Sequence, residues 1–198
     1  PCQYGLIDTY ALSEKIHERF YVGYGQVKLP HKFKIAVGGC PNNCVKPDLN
    51  DVGIVGQWVP QVHEDLCKGC TMCEKECPIH AVKMVEKKAV IDAEECNHCG
   101  RCIRKCPFQA IENQTAGYMV YLGGRWGKRT TVGRSLGIII PDEKQVLDLV
   151  EKCILLFKAY GQPKERFADT VTRLGLEKVR EMLLSDQLLE RKEEILAQ

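Results

Sequence analysis

The chain is 198 residues long, 44% hydrophobic and 27% charged, which is a globular balance with room for one ordinary core and a small module. Its net charge of +2 gives no electrostatic reason to expect a nucleic-acid partner. No apolar run approaches the roughly 20 residues of a bilayer-spanning helix, so no membrane partner is expected either.

In chain order, residues 7–21 carry Leu12, Ile16 and Phe20 at helical spacing, with Asp8 or Ser13 available as a cap and Gly23 and Gly25 as breaks. Residues 32–37 alternate charged and apolar side chains and read as a strand. The strand runs into Gly38-Gly39-Cys40-Pro41-Asn42-Asn43-Cys44. Residues 51–55 read as a second short strand ending at Gly56. Residues 118–122 read as another, followed by a Gly123-Gly124 turn and the basic stretch Arg125 to Arg129. The longest apolar run, 136–140, has the length of a buried strand. The remainder is helical. Asp142 precedes a run with Val146, Val150, Cys153 and Phe157 on one face, closed by Gly161. Pro163 suits the first turn of a helix carrying Phe167, Val171 and Leu174, which Gly175 stops. Val179 and Leu183 mark a third helix, and Ser185 is positioned to cap a fourth over 186–197.

Residues 67–107 carry the strongest chemical signal. They contain C-x2-C-x2-C-x3-C-P twice, the ligand pattern of two bacterial-type [4Fe–4S] clusters. Three closely spaced thiolates on one loop can reach three corners of a cubane, and the fourth cysteine crosses to the other cluster. The spacing therefore assigns Cys67, Cys70, Cys73 and Cys106 to one cluster and Cys96, Cys99, Cys102 and Cys77 to the other. Zinc sites instead use C-x2-C pairs separated by a longer gap. The two halves form an internal repeat of 29 positions, which takes Pro78 to Pro107 and Ala81 to Ala110. Residues 82–85 and 89–91 read as a hairpin, with 59–63 and 110–112 as opening and closing strands. Residues 57–114 are thus expected to be a ferredoxin-like domain inserted into a host of residues 1–56 and 115–198. Twelve cysteines, mostly at metal spacing, need a reducing setting, and the cytoplasm is expected.

Cys40-x3-Cys44 is the second constellation. The pattern is weak alone, but a strand feeding a Gly-Gly turn with Pro41, Asn42 and Asn43 exposes backbone N–H groups and lets two thiolates converge. Cys2 is a third candidate ligand. Two merely buried thiols are the bland alternative. Cys153, on an apolar helix face, is read as a core thiol. His98 is read as solvent-exposed, and Arg166 as tying helices together. His17, His31, His63 and His80 show no ligand pattern.

KFKIAVGGCPNNC followed by DVGIVG resembles the iron–sulfur half-domain of sirohaem-dependent sulfite and nitrite reductases. CQYGLIDTYAL, VYLGGRWGK and GQPKERFADTVTRLGLEKV are also similar to that family, so the resemblance covers nearly the whole chain. A ferredoxin module at this place is similar to dissimilatory and anaerobic sulfite reductases. The resemblance implies an α+β half-domain, sheet plus helices, with the inserted module and a helical tail. It implies that Cys2, Cys40 and Cys44 are cofactor ligands, with Cys44 the catalytic thiolate shared between cluster and sirohaem iron. Asn42, Asn43, Arg125, Lys128 and Arg129 become candidates for holding the sirohaem carboxylates; for the basic residues, a solvated loop is an equal alternative. The implied activity is six-electron reduction of sulfite to sulfide, with nitrite reduction to ammonia, or a non-catalytic electron-transfer subunit, as alternatives. The implied partners are sulfite or nitrite and an electron-donor protein, in a multi-subunit complex. The chain opens Pro-Cys-Gln-Tyr rather than with Met, so it is expected to be a piece of a longer polypeptide. Alone it is expected to keep the two module clusters but to lack the sirohaem, its coupled cluster, and activity.

Overall fold

The computed structural model describes residues 2–197. Helix α1 (Thr9–Ile16) continues into a π-helical turn (His17–Val22). Strand β1 (Ile35–Gly38), a 3-10 turn (Pro47–Leu49) and strand β2 (Val52–Val62) follow. Then come α2 (Met72–Glu76), β3 (Val82–Val85), β4 (Lys88–Ile91) and α3 (Arg101–Lys105). The chain returns through β5 (Ile111–Leu122) and β6 (Arg134–Ile140). It ends in α4 (Glu143–Tyr160), α5 (Phe167–Leu174), α6 (Leu176–Leu184), α7 (Gln187–Glu190) and α8 (Lys192–Ala197). The result is a mixed α/β fold, in agreement with the sequence pattern.

The main sheet has the order β1-β2-β5-β6, with β1 parallel to β2 and the other pairs antiparallel. Alternation sets its faces. Val52, Ile54, Val120, Leu122, Leu136 and Ile140 enter one core with Leu12, Ile16 and Phe20 of the first helix and the buried side of α4. Asp8 caps α1, accepting from the N–H groups of Tyr10 and Ala11 at 3.0 Å each; Ser13 lies inside the helix.

Strands β2 and β5 depart from the sequence-based expectation of two short strands on each side. Instead one continuous ladder runs from Val52↔Leu122 to Val62↔Ile111. It passes through residues 56/57 and 114/115, the expected division between host and module. Two local signals read as breaks, and long-range pairing overrides both. Gly56 lies within the strand because a Cβ there would stand 2.6 Å from the Gly39 carbonyl oxygen. Pro60, which has no N–H to donate, sits where the register shifts after Val59, the kind of irregularity at which a strand accommodates proline.

Helix α4 is more deeply buried than its single apolar face implies, because α7 and α8 cover its other side. Glu151 is only 3% exposed and lies within reach of Arg19, Tyr24 and Lys192. Such pairing is what makes burial of a carboxylate tolerable. The start of the next helix also differs. Helix α5 begins at Phe167 rather than at Pro163, because Arg166 stays extended and reaches the sheet. Its guanidinium pairs with fully buried Asp51 at 2.9 Å, so it joins α5 to the start of β2 rather than helix to helix. The expected fourth helix is two, α7 and α8, broken at Arg191. Ser185 does not cap it, and Asp186 stands at the cap without a side-chain bond to the helix. The Asp186 carboxylate is taken by Lys152 at 2.8 Å.

The module has its own small core, built on Cys73, Val82, Ala89, Cys102 and Ile111. Its repeat is visible in the backbone. Helices α2 and α3 are related by 29 positions. So are the left-handed pairs Gly69 and His98, Thr71 and Gly100, His80 and Gln109. His63 N–H donates to the Ala110 carbonyl and Asp92 N–H to the Ala81 carbonyl, both at 2.8 Å. The repeat exchanges these two bonds, as a pseudo-two-fold requires.

Candidate iron–sulfur and catalytic site

Cys67, Cys70, Cys73 and Cys106 line one apolar pocket with Met84, Phe108 and Ile111. Cys96 lies near enough to Cys99 and Cys77 for their charges to be felt, and Cys102 near enough to Cys96 and Cys99. Cys106 thus shares the pocket of the first three cysteines and Cys77 lies near Cys96, while Cys102 also feels the charge of Cys73 across the two groups. Among the described residues no three His, Cys, Asp or Glu side chains close around a point that would hold a single ion. Burial raises the thiol pKa of Cys73 and Cys96 and pushes that of Cys102 up to about 12. Thiolates in such places would need a compensating positive charge, of the kind a bound metal would supply as it displaces the protons.

The third group of thiols is assembled by close backbone packing. Gly39 lies so near the loop after Cys2 that a Cβ on it would stand 3.3 Å from the Gly5 Cα. Leu6 N–H donates to the Gly39 carbonyl at 2.7 Å. Cys2, Cys40 and Cys44 thereby line one cleft of about 630 Å³, with Gly38, Gly39, Asp8 and Tyr10. Cys2 and Cys44 are exposed and Cys40 half-buried. Asn43 adopts a left-handed conformation (φ 54°), which asparagine tolerates better than most residues. Its amide nitrogen donates to Asp48 at 2.8 Å, while its enclosed Oδ1 has no partner. The Asn42 carbonyl accepts a long 3.9 Å contact from the Cys44 thiol.

Of the basic candidates, Arg125 is engaged with Asp169 at 3.2 Å, and its backbone pairs with Thr131. Lys128 and Arg129 are exposed in the same loop. Cys153 is fully buried, as expected of a core thiol, and burial raises its pKa. His98 differs from expectation: it is half-buried and burial lowers its pKa. Its N–H donates to Cys96 Sγ at 3.4 Å, and its carbonyl accepts from Trp58 N–H at 2.9 Å.

Sequence reasoning missed the residues at the seam between the second cluster loop and the main sheet. Trp58 of β2 lies against Gly100, where a Cβ would stand 2.9 Å from the indole Cε3. Arg104 lies over the same indole and Arg101 over Tyr4. The sequence held no signal for them: Arg101 and Arg104 stand where the first repeat has Met72 and Lys75, but every other non-cysteine position between Cys67 and Cys77 differs as well.

The fold is a mixed-sheet body that carries a duplicated cysteine-rich segment. The family model for the nitrite and sulphite reductase 4Fe-4S domain matches residues 1–192, and the chain belongs to that family. It is 37% identical over 188 residues to a coenzyme F420-dependent sulfite reductase of Methanocaldococcus jannaschii, covering 92% of this chain and 29% of that protein. It is 36% identical over 81 residues to one subunit of the anaerobic sulfite reductase of Salmonella typhimurium, covering 41% of this chain and 22% of that protein. The crystal structure of dissimilatory sulfite reductase I shares the fold, with a TM-score of 0.68 at 21% identity over 92% of this chain and 49% of that one. The chain thus spans less than a third of the length of either sequence relative. Among the described residues, no helix is long and apolar enough to cross a membrane.

Proposed function

We propose that the chain is the iron–sulfur portion of a sirohaem-dependent sulfite reductase that carries out the six-electron reduction of sulfite to sulfide. The observation that carries this reading is the shared cleft of Cys2, Cys40 and Cys44, in a chain of the nitrite and sulphite reductase family. A [4Fe–4S] cluster takes four ligands. These three thiols, lining one cleft, are assigned as three of them, and the fourth is assigned to another part of the full-length protein. Bound there, the cluster and sirohaem would supply an electron-rich, thiolate-linked iron suited to breaking S–O bonds.

The chain's own residues provide the setting. The Gly5–Gly39 contact fixes Cys2 beside the Cys40–Cys44 turn. Asn43 braces that turn through Asp48. Lys128 and Arg129 offer free cationic groups to the acidic periphery of a sirohaem, and Arg125 would do so on leaving Asp169. The eight module cysteines are assigned as ligands of two further clusters that receive electrons from a donor protein or subunit. A reducing compartment, the cytoplasm, suits so many thiolates.

The test is made on the full-length protein, prepared anaerobically. A strong red-region band in the visible spectrum, with sulfide released from sulfite under reduced methyl viologen, is the expected result. Only the broad brown absorption of iron–sulfur clusters, with no sulfide, would overturn the reading in favour of an electron carrier. Faster turnover of nitrite than of sulfite would reassign the substrate.

A further inference from the structure

Arg104 stretches from α3 of the second repeat across the seam. Its Nη1 donates to the Gln3 carbonyl at 2.8 Å and its Nη2 to the Gly5 carbonyl at 2.9 Å. Its Cζ lies 4.9 Å from the centre of the Trp58 ring. A planar guanidinium can bond two acceptors with its edge while an aromatic ring covers its face, and that combination holds a long side chain in one place. Arg101, on the same helix, lays its guanidinium 5.5 Å from the centre of the Tyr4 ring. Both arginines therefore grip the segment that follows Cys2.

That segment has little else to hold it. Cys2, Gln3 and Tyr4 are exposed. Gly5 N–H and Tyr4 N–H turn back on Cys2 itself, to its carbonyl and its sulfur. Leu6 N–H to Gly39 is the one backbone bond that ties residues 2–6 to the sheet body, among the described residues. The far end of Arg104 is equally well fixed. Its helix begins at Gly100, which packs on Trp58, and Trp58 bridges to Cys99.

We propose that Arg104 is a positioning residue for Cys2. It pins the carbonyls on either side of Tyr4 to the second half of the module and so sets the Cys2 thiol beside Cys40 and Cys44. The third thiol of the host site is then placed jointly, by the host turn through Gly39 and by the module through Arg104. This rests on the reading of Cys2 as a cluster ligand given above.

The experiment compares Arg104→Ala and Arg104→Lys with the unmutated full-length protein under anaerobic conditions. It follows amide hydrogen exchange and iron content. In Arg104→Ala, exchange over residues 3–6 quickens about tenfold, the scale of one lost charge-assisted hydrogen bond. Exchange over 99–106 stays unchanged, which shows the module still folded. Iron falls by about four atoms per chain, one cluster, while about eight remain in the module. Arg104→Lys, with a single point donor, recovers part of both. If the unmutated protein holds no cluster at Cys2, the proposed function fails, and that is visible before any variant is made. Unchanged exchange over residues 3–6 in Arg104→Ala, or quickened exchange with the Cys2-held cluster intact, would instead overturn the role of Arg104.

Discussion

The two halves of the cluster module share a backbone and differ in their surroundings. Each has a five-residue helix, a buried third cysteine and left-handed residues at the same places. In the first half the left-handed residue before the helix is Thr71, and the helix carries Met72 and Lys75, both exposed. In the second half the equivalent residues are Gly100, Arg101 and Arg104, and all three face either Trp58 or the segment after Cys2. A duplicated unit diverges where it meets something new. The cysteines recur at the same places in both halves, while the helix surfaces differ, and among the described residues the second helix is the one that meets Trp58 and the segment after Cys2.

The sharpest way to break this comparison is to ask whether the halves are chemically interlocked while remaining distinct. Cys77 belongs to the first repeat in sequence but lies close enough to Cys96 to raise its pKa by charge repulsion, a smaller effect there than burial. Cys106 belongs to the second repeat but shares the pocket of Cys67, Cys70 and Cys73. Cys77→Ser should therefore disturb the cluster of Cys96, Cys99 and Cys102, and Cys106→Ser the other one. Anaerobic crystal density for the unmutated protein decides the pairing directly. Cys77 sulfur bonded to the cluster of the first three cysteines would refute it.

A smaller effect is expected from the paired left-handed positions. Gly100→Ala places a Cβ 2.9 Å from the Trp58 ring at a φ of +67°, so it meets both a collision and a disfavoured backbone. Left-handed strain and overpacking together should cost about 2–4 kcal/mol. At Thr71, with a φ of 64°, glycine removes a β-branched side chain from the same conformation. Thr71→Gly should be neutral or stabilising by up to about 1 kcal/mol. Denaturant unfolding under anaerobic conditions measures both. Equal costs would mean that the second half is no more closely packed than the first.

What the sequence disclosed follows the range of the interactions involved. The repeat was legible because it is written in cysteine spacing along a short segment. The first helix was legible because Leu12, Ile16 and Phe20 recur on one face and Asp8 bonds its own neighbours. The α+β class was what the family resemblance implied, and the local strand and helix patterns agreed with it. Where a local signal competed with a distant one, the distant one prevailed. Gly56 and Pro60 look like breaks, but β2 gains a long antiparallel partner by running through them. Arg166 meets Asp51, 115 residues away, and no periodicity announces that. In the candidate site, the nearness of Cys40 to Cys44 is a matter of one turn. Cys2 was legible only as a candidate, and its place with the other two came through family resemblance, because the Gly5–Gly39 contact that brings it close is a tertiary event. Arg104 escaped notice for the same reason, since its acceptors are backbone carbonyls, which every residue carries.

The smallest effect belongs to Lys75, the counterpart of Arg104 in the first half. Its side chain is exposed and makes no ion pair or hydrogen bond among the described residues. The exchange that relates the two halves takes Trp58 to Lys87, whose carbonyl lies against Gly69, so the first half has no aromatic platform in the corresponding place. Lys75→Ala should change stability by no more than about 0.5 kcal/mol, as for an ordinary surface position. It should also leave hydrogen exchange over residues 3–6 as it was. The exchanged pair Lys75→Arg with Arg104→Lys sharpens the point. An arginine at 75 has no loop to grip, so the double variant should behave as Arg104→Lys alone, with a coupling below about 0.5 kcal/mol. A measurable rescue of the Cys2 segment by arginine at 75 would show that the two helices are interchangeable, and the asymmetry between the halves would no longer rest on what each one faces.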